Sequence, residues 1–135
     1  MQENRKVIHV CGSRKSAVAR ATLKPGAGIV RINSKLLETV TPKIYQMRIK
    51  EPLKIAGDTA NNINIDVKVQ GGGVASQADA ARLAIARALV ALDNNLQKDF
   101  LDYDRTLLIA DIRRKETHKP NCHGKARAKR QKSYR

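Results

Sequence analysis

The sequence predicts an α+β domain, a sheet with helices packed on one face, followed by an extended basic tail. Three observations carry this reading. Ile63, Ile65, Val67 and Val69 alternate with Asn64, Asp66, Lys68 and Gln70, the period of two that buries one strand face and wets the other. Ala81, Ala84, Ile85, Ala88, Leu89 and Leu92 recur at helical spacing, and so many alanines imply close approach of that helix to the sheet. Residues 113–135 hold ten Lys or Arg against one acid and no Val, Ile, Leu, Met or Phe. Such a segment buries too little apolar surface to offset its ordering entropy.

The remaining elements follow in order. Val7–Val10 reads as a strand, and Gly12-Ser13-Arg14-Lys15-Ser16 as a basic turn. Ala17–Lys24 forms a second strand, with Ala17, Ala19, Ala21 and Leu23 on one face and Val18, Arg20, Thr22 and Lys24 on the other. Pro25-Gly26-Ala27-Gly28 is a turn, and Ile29–Asn33 completes a hairpin with the second strand. Thr41-Pro42 supplies a helix start, an N-cap followed by proline. Ile44, Met47 and Ile49 give that helix an apolar face; Glu51-Pro52 interrupts it, and a further turn runs to Ala56 before Gly57. Ser76 and Asp79 form a capping-box-like pair at the start of the alanine-rich helix, just after Gly71-Gly72-Gly73. Lys98–Tyr103 is a helical turn, and Leu107-Leu108-Ile109 a last buried segment. The body spans residues 1–112 and the tail 113–135.

Charge narrows the function. The chain has 135 residues and a net charge of +15. Residues 1–56 carry twelve cations against three acids, whereas residues 57–112 carry five against eight. Two basic regions therefore flank a slightly acidic block, and a polyanion, most commonly nucleic acid, is the partner they imply. Aromatic side chains are few: Tyr45, Phe100, Tyr103 and Tyr134. Phosphate contacts, not base stacking, should dominate binding. No apolar run approaches membrane-spanning length and no signal peptide is expected. Cys11 and Cys122 make no disulfide framework, which fits a reducing, intracellular compartment.

Gly12-Ser13-Arg14-Lys15-Ser16-Ala17-Val18-Ala19-Arg20 pairs flexible backbone with three cations and two hydroxyls, and its arginines can chelate phosphate; its bland alternative is a solvated turn. Gly71-Gly72-Gly73 before a helix offers N–H groups to an anion and resembles the glycine loop of small-molecule kinases, but no Gly-Lys-Ser/Thr follows. A tight strand-to-helix turn explains it equally well. Cys122, His123 and His118 do not complete a metal-ligand set, and no cofactor is implied. Asp99, Asp102 and Asp104 cluster beside Lys98 and Arg105, where capping and local ion pairing explain them. No catalytic residues emerge, so an enzyme is not expected.

Taken together, three segments resemble the universal small-subunit ribosomal protein nine family, in its archaeal and eukaryotic form. They are the Gly12–Arg20 segment, Gly71-Gly72-Gly73 with Gln77-Ala78 and Ile85–Leu89, and the ending Arg130-Gln131-Lys132-Ser133-Tyr134-Arg135. The resemblance covers essentially the whole chain. It implies a ribosomal-S5-domain-2-like fold with a four-stranded sheet, a cytoplasmic place in the head of the small ribosomal subunit, and neighbouring head proteins as partners. It implies small-subunit rRNA contacts by Arg14, Lys15 and Arg20, and along the tail by Arg113, Arg114, Lys115, Lys119, Lys125, Arg127 and Lys129. It implies that Arg130, Lys132, Ser133, Tyr134 and Arg135 reach the anticodon stem-loop of peptidyl-site tRNA. Glu116–Gly124, with Pro120-Asn121-Cys122-His123, departs from the Lys- and Gly-rich linker common in that family.

Overall fold

Ile63–Gln70 forms a strand at its predicted bounds, and its place inside the sheet organises the rest. The computed structural model describes residues 7–122 and 124–127. Its elements are β1 (Ile8–Arg14), β2 (Ala17–Pro25), β3 (Val30–Ile32), β4 (Lys35–Leu36), α1 (Lys43–Ala56), α2 (Asp58–Asn61), β5 (Ile63–Gln70), α3 (Val74–Leu92) and α4 (Leu96–Tyr103). Short 3-10 turns lie at Leu37–Thr39 and Arg105–Leu107.

Among the described residues the sheet has five strands in the order β1-β2-β5-β3-β4, one more than the four expected. The extra strand is the two-residue β4, made by a tight reversal at Asn33 and Ser34. Both residues have positive φ (49° and 70°), as a twist-matched two-residue hairpin turn requires. The Asn33 amide also spans the gap to β5, accepting from the Val69 N–H at 2.8 Å and donating to its carbonyl.

The predicted hairpin between β2 and β3 does not form. β5 lies between them, antiparallel to β2 and parallel to β3. The Pro25–Gly28 segment does reverse the chain, but it wraps around the start of β5. The Asn64 carboxamide oxygen accepts from the N–H groups of Ala27 and Ile29, at 3.0 and 3.1 Å. Turn residues encode a reversal and not the identity of the neighbour. The hairpin that does form joins β1 to β2, pairing Arg14 with Ala17 across a turn at Lys15 and Ser16. Thus Gly12, Ser13 and Arg14, expected in a turn, belong to a strand.

One face of the sheet is covered and the other open. Ala17, Ala19, Ala21 and Leu23 of β2 and the four alternating apolar residues of β5 are buried. Against them lies α3, whose Ala80, Ala81, Ala84 and Ala88 are fully buried, so the predicted close approach is observed. Gly12 sits at the contact. A β-carbon there would lie 2.7 Å from the Ala80 carbonyl oxygen and 2.7 Å from the Ala84 nitrogen, both backbone atoms. α1 and α4 pack on α3, with Phe100 and Leu107 completing the core. Among the described residues no helix is long and apolar enough to cross a membrane.

Two helix expectations change. α1 is continuous through Pro52. That proline is buried against the core, so packing compensates the hydrogen bond its ring removes. The buried face of α1 is Gln46, Ile49, Pro52 and Ala56, whereas Ile44 and Met47 are exposed. A glutamine holds a core position because its side-chain N–H donates to the Leu37 carbonyl at 3.1 Å. Nor do the expected caps form: Thr41 does not cap α1, and α3 begins at Val74 with Ser76 already helical and Asp79 turned to arginine partners.

Gly12→Ala is expected to destabilise the chain by about 1–3 kcal/mol, because the clash is with helix backbone and α3 must shift as a body. Urea unfolding of the full chain measures this. A neutral result would show that the contact between α3 and β1 is not tight.

Candidate nucleic-acid interface

The tip of the β1–β2 hairpin and the root of the tail are brought together by charge. Arg14, the last residue of β1, pairs with Asp111 and lies 3.9 Å from Asp79 on α3. Asp111 is also grasped by Arg113, which donates through its backbone N–H at 2.9 Å, through Nε at 2.9 Å and through Nη2 at 2.7 Å. Arg114 reaches back to the Ser13 hydroxyl at 3.4 Å. One carboxylate thus holds a strand end and the first tail residues in a single cluster. Asp111 is able to do so because its side chain is only 17% exposed, a setting in which charge-assisted hydrogen bonds persist.

A second arginine set stiffens the same region. Arg87 of α3 donates to the Cys11 carbonyl on β1 and to the Leu108 carbonyl, both at 3.0 Å. Arg82 pairs with Asp104 at 3.0 Å and lies 2.6 Å from Glu51, off the hydrogen-bonding direction. Arg48 of α1 pairs with Asp79 at 3.1 Å. Burial pushes the Asp104 carboxyl up, but hydrogen bonds from the Thr106 N–H and hydroxyl and from Arg82 outweigh it and leave its pKa lowered. For Asp111 the Arg113 side chain acts first, then the Arg113 N–H; with Arg14 adding, they hold the carboxyl well below the usual carboxylate range.

Gly71 and Gly72 of the glycine triplet have a packing role beside this cluster. Gly71 and Gly72 have φ of 76° and 66°, and a β-carbon on Gly71 would lie 2.6 Å from the Ser16 carbonyl oxygen. The loop seats against the hairpin tip, held by the Gln77 side chain donating to the Gly71 carbonyl. Close approach to Ser16 and Ala17 accounts for Gly71 and Gly72 without an anion.

Of the predicted contact residues, Arg14, Arg113 and Arg114 are gathered at this root. Lys15 is exposed at the hairpin tip, with φ 53°. Arg20 lies elsewhere, on the open face of β2. Lys115 is exposed in irregular chain. The expectation of an extended tail changes for the described residues between 116 and 127, which close a loop. Glu116 pairs with Arg127 (Nε to Oε1 2.6 Å), the Lys119 N–H donates to the Lys125 carbonyl at 2.8 Å, and Asn121 turns the chain with φ 61°. Pro120 and Asn121 suit a turn, and Glu116 is the one acid within the tail. Arg127 holds the Glu116 carboxyl below its usual range. Lys129, Arg130, Lys132, Ser133, Tyr134 and Arg135 lie outside the described residues. Asp111, Asp79 and Arg87 have no local sequence signature; Arg14 meets Asp111 only because 97 residues of chain fold between them.

The chain resembles known proteins along nearly its whole length. The sequence model of the family described as ribosomal protein S9/S16 matches residues 12–135. The small ribosomal subunit protein uS9 of Methanococcus maripaludis (strain S2) is 50% identical over 133 residues, covering 96% of this chain and 99% of that protein. Its counterpart in Methanococcus vannielii is 49% identical over the same coverage.

The lowered pKa of Asp111 sets a pH signature. A carboxyl whose native pKa lies below its unfolded value of about 3.9 contributes stability that is full above about pH 4 and is lost as pH falls through the native value. Asp111→Asn removes that contribution at every pH. The urea midpoints of wild type and variant should therefore differ at neutral pH and converge as the pH drops below about 4. Parallel curves across that window would show that the Asp111 contacts do not form in solution.

Proposed function

The chain belongs to the ribosomal protein S9/S16 family, and on that premise we propose how its two basic regions are used. Membership makes it a structural constituent of the small ribosomal subunit, acting in translation and not as an enzyme. In this reading residues 1–112 form a body seated on small-subunit rRNA in the subunit head, beside other head proteins. Residues 113–135 are a tail that threads rRNA and ends at the peptidyl-site tRNA. Lys15 and Arg20 on the body, with Lys115, Lys119, Lys125, Arg127 and Lys129 on the tail, meet rRNA phosphates. Arg14, Arg113 and Arg114 serve both the root cluster and the rRNA beside it. Arg130, Lys132, Ser133, Tyr134 and Arg135 face the anticodon stem-loop.

The observation that carries this reading is the charge of the tail, ten cations to one acid with no apolar residue able to anchor a fold. A fully extended 23-residue segment spans up to roughly 75 Å, against a radius of gyration of about 13 Å for the body. The tail can reach far beyond its own domain. The exposed Glu116–Arg127 pair is compatible with this, because surface ion pairs contribute little and a phosphate can replace the carboxylate. Phosphate contacts carry little sequence information, which suits a site that must accept every tRNA.

Deleting residues 130–135 should leave subunit assembly intact and speed tRNA dissociation from the peptidyl site. The expected change is about tenfold or more, equivalent to losing one hydrogen bond to a charged group at about 1.5 kcal/mol. Unchanged tRNA off-rates on ribosomes carrying the truncated chain would remove the tRNA assignment.

A further inference from the structure

Three arginines of the body are neutralised internally. Arg14, Arg48 and Arg82 are each paired with a carboxylate on the covered side, around α1 and α3. On the uncovered face of the sheet the situation is reversed. Arg20 and Lys24 on β2, Lys68 on β5 and Arg31 on β3 are all exposed. Among the described residues no ion pair joins any of them to an acid. Asp66, which lies in register with Thr22 and Arg31, is the only acid among the described residues of β1, β2, β3 and β5.

The register makes this arrangement costly to the free protein. Arg20 and Lys68 are direct cross-strand partners. Like charges directly opposite each other on one sheet face repel and destabilise the pair. No packing requirement accounts for them, since both side chains point away from the core. A face that concentrates unpaired cations at its own expense is complementary to an external anion.

Resting on the rRNA-binding reading above, we propose that the open sheet face is a docking surface for the phosphate backbone of an RNA helix, centred on the Arg20–Lys68 pair and extended by Lys24 and Arg31. The four residues lie on three adjacent strands, about 5 Å apart, and Arg20 and Lys24 are separated by about 13 Å along β2. That patch is broad enough to meet several phosphates. The occupant is paired RNA because the face has no Phe, Tyr or Trp on which unpaired bases could stack, and its one imidazole, His9 on β1, is held by the Thr22 hydroxyl at 3.0 Å. Phe100 is in the core, and Tyr45 and Tyr103 are on α1 and α4. Double-stranded RNA turns its bases inward and is met through phosphates and 2′-hydroxyls, which is the chemistry these cations supply. The hairpin tip and the sheet face then contact RNA as two separate surfaces of one body, with the tail as the third.

The test uses the full chain and purified small-subunit rRNA over a salt series. Arg20→Gln and Lys68→Gln should each lower the slope of log affinity against log salt by about 0.7–0.9, and the double variant by about twice that. Asp66→Asn should act in the opposite direction and tighten binding. Thermal melts of the free chain supply a second readout: Lys68→Gln relieves repulsion and should leave the midpoint unchanged or raise it. A wild-type salt slope in the double variant overturns the site while leaving the rRNA reading in place. Absence of any salt-dependent rRNA binding by the wild-type chain overturns both.

Discussion

The contact between α3 and the β1–β2 hairpin is built from the smallest side chains available, and the rest of the molecule depends on it. Ala17, Ala19 and Ala21 line the strand side, Ala80, Ala81, Ala84 and Ala88 the helix side, and Gly12 contributes no side chain at all. Small residues gain little from transfer out of water individually, but they let two backbones approach and gain dispersion contacts along their whole length. The larger side chains, Leu23, Ile65, Ile85, Leu89, Phe100 and Leu107, fill the space around this seam. With α3 set so close, its outer side becomes the platform on which α1 and α4 pack.

The electrostatic arrangement follows from that placement. Because α3 lies along β1, Asp79 meets Arg14 and Arg87 reaches the Cys11 carbonyl. The same arginine holds the Leu108 carbonyl, which brings Asp111 to the hairpin tip and fixes where the tail leaves the body. Three acids of the middle block, Asp79, Asp104 and Asp111, are thus spent internally, on arginines. Arg20, Lys24, Lys68 and Arg31 of the open sheet face join no ion pair among the described residues.

Much of the fold was readable from periodicity. β5 has its predicted bounds, the two faces of β2 are as the alternation indicates, and the alanine spacing announced the tight helix. The failures share a cause. Pro25–Gly28 reverses the chain, but which strand fills the adjacent position depends on β5, more than thirty residues later. Gln46 takes a core position that the pattern assigned to Ile44 and Met47, because the Leu37 carbonyl is there to receive its hydrogen bond. Gly12 and Gly71 looked like phosphate-approach glycines. Each is glycine because another backbone lies within 3 Å of where its β-carbon would be.

The sequence by itself determined the strands and helices that have a clear period, the charge of the tail and the family, since each of these is written in local spacing or in contiguous motifs. Tertiary structure alone decided that β5 divides β2 from β3, that Asp111 ties Arg14 to Arg113, and that Arg20 faces Lys68. Those are relations between residues far apart in the chain, fixed by strand register and helix packing. Local pattern can say which face of a strand is wet, but only the assembled sheet shows which charges share that face without a partner.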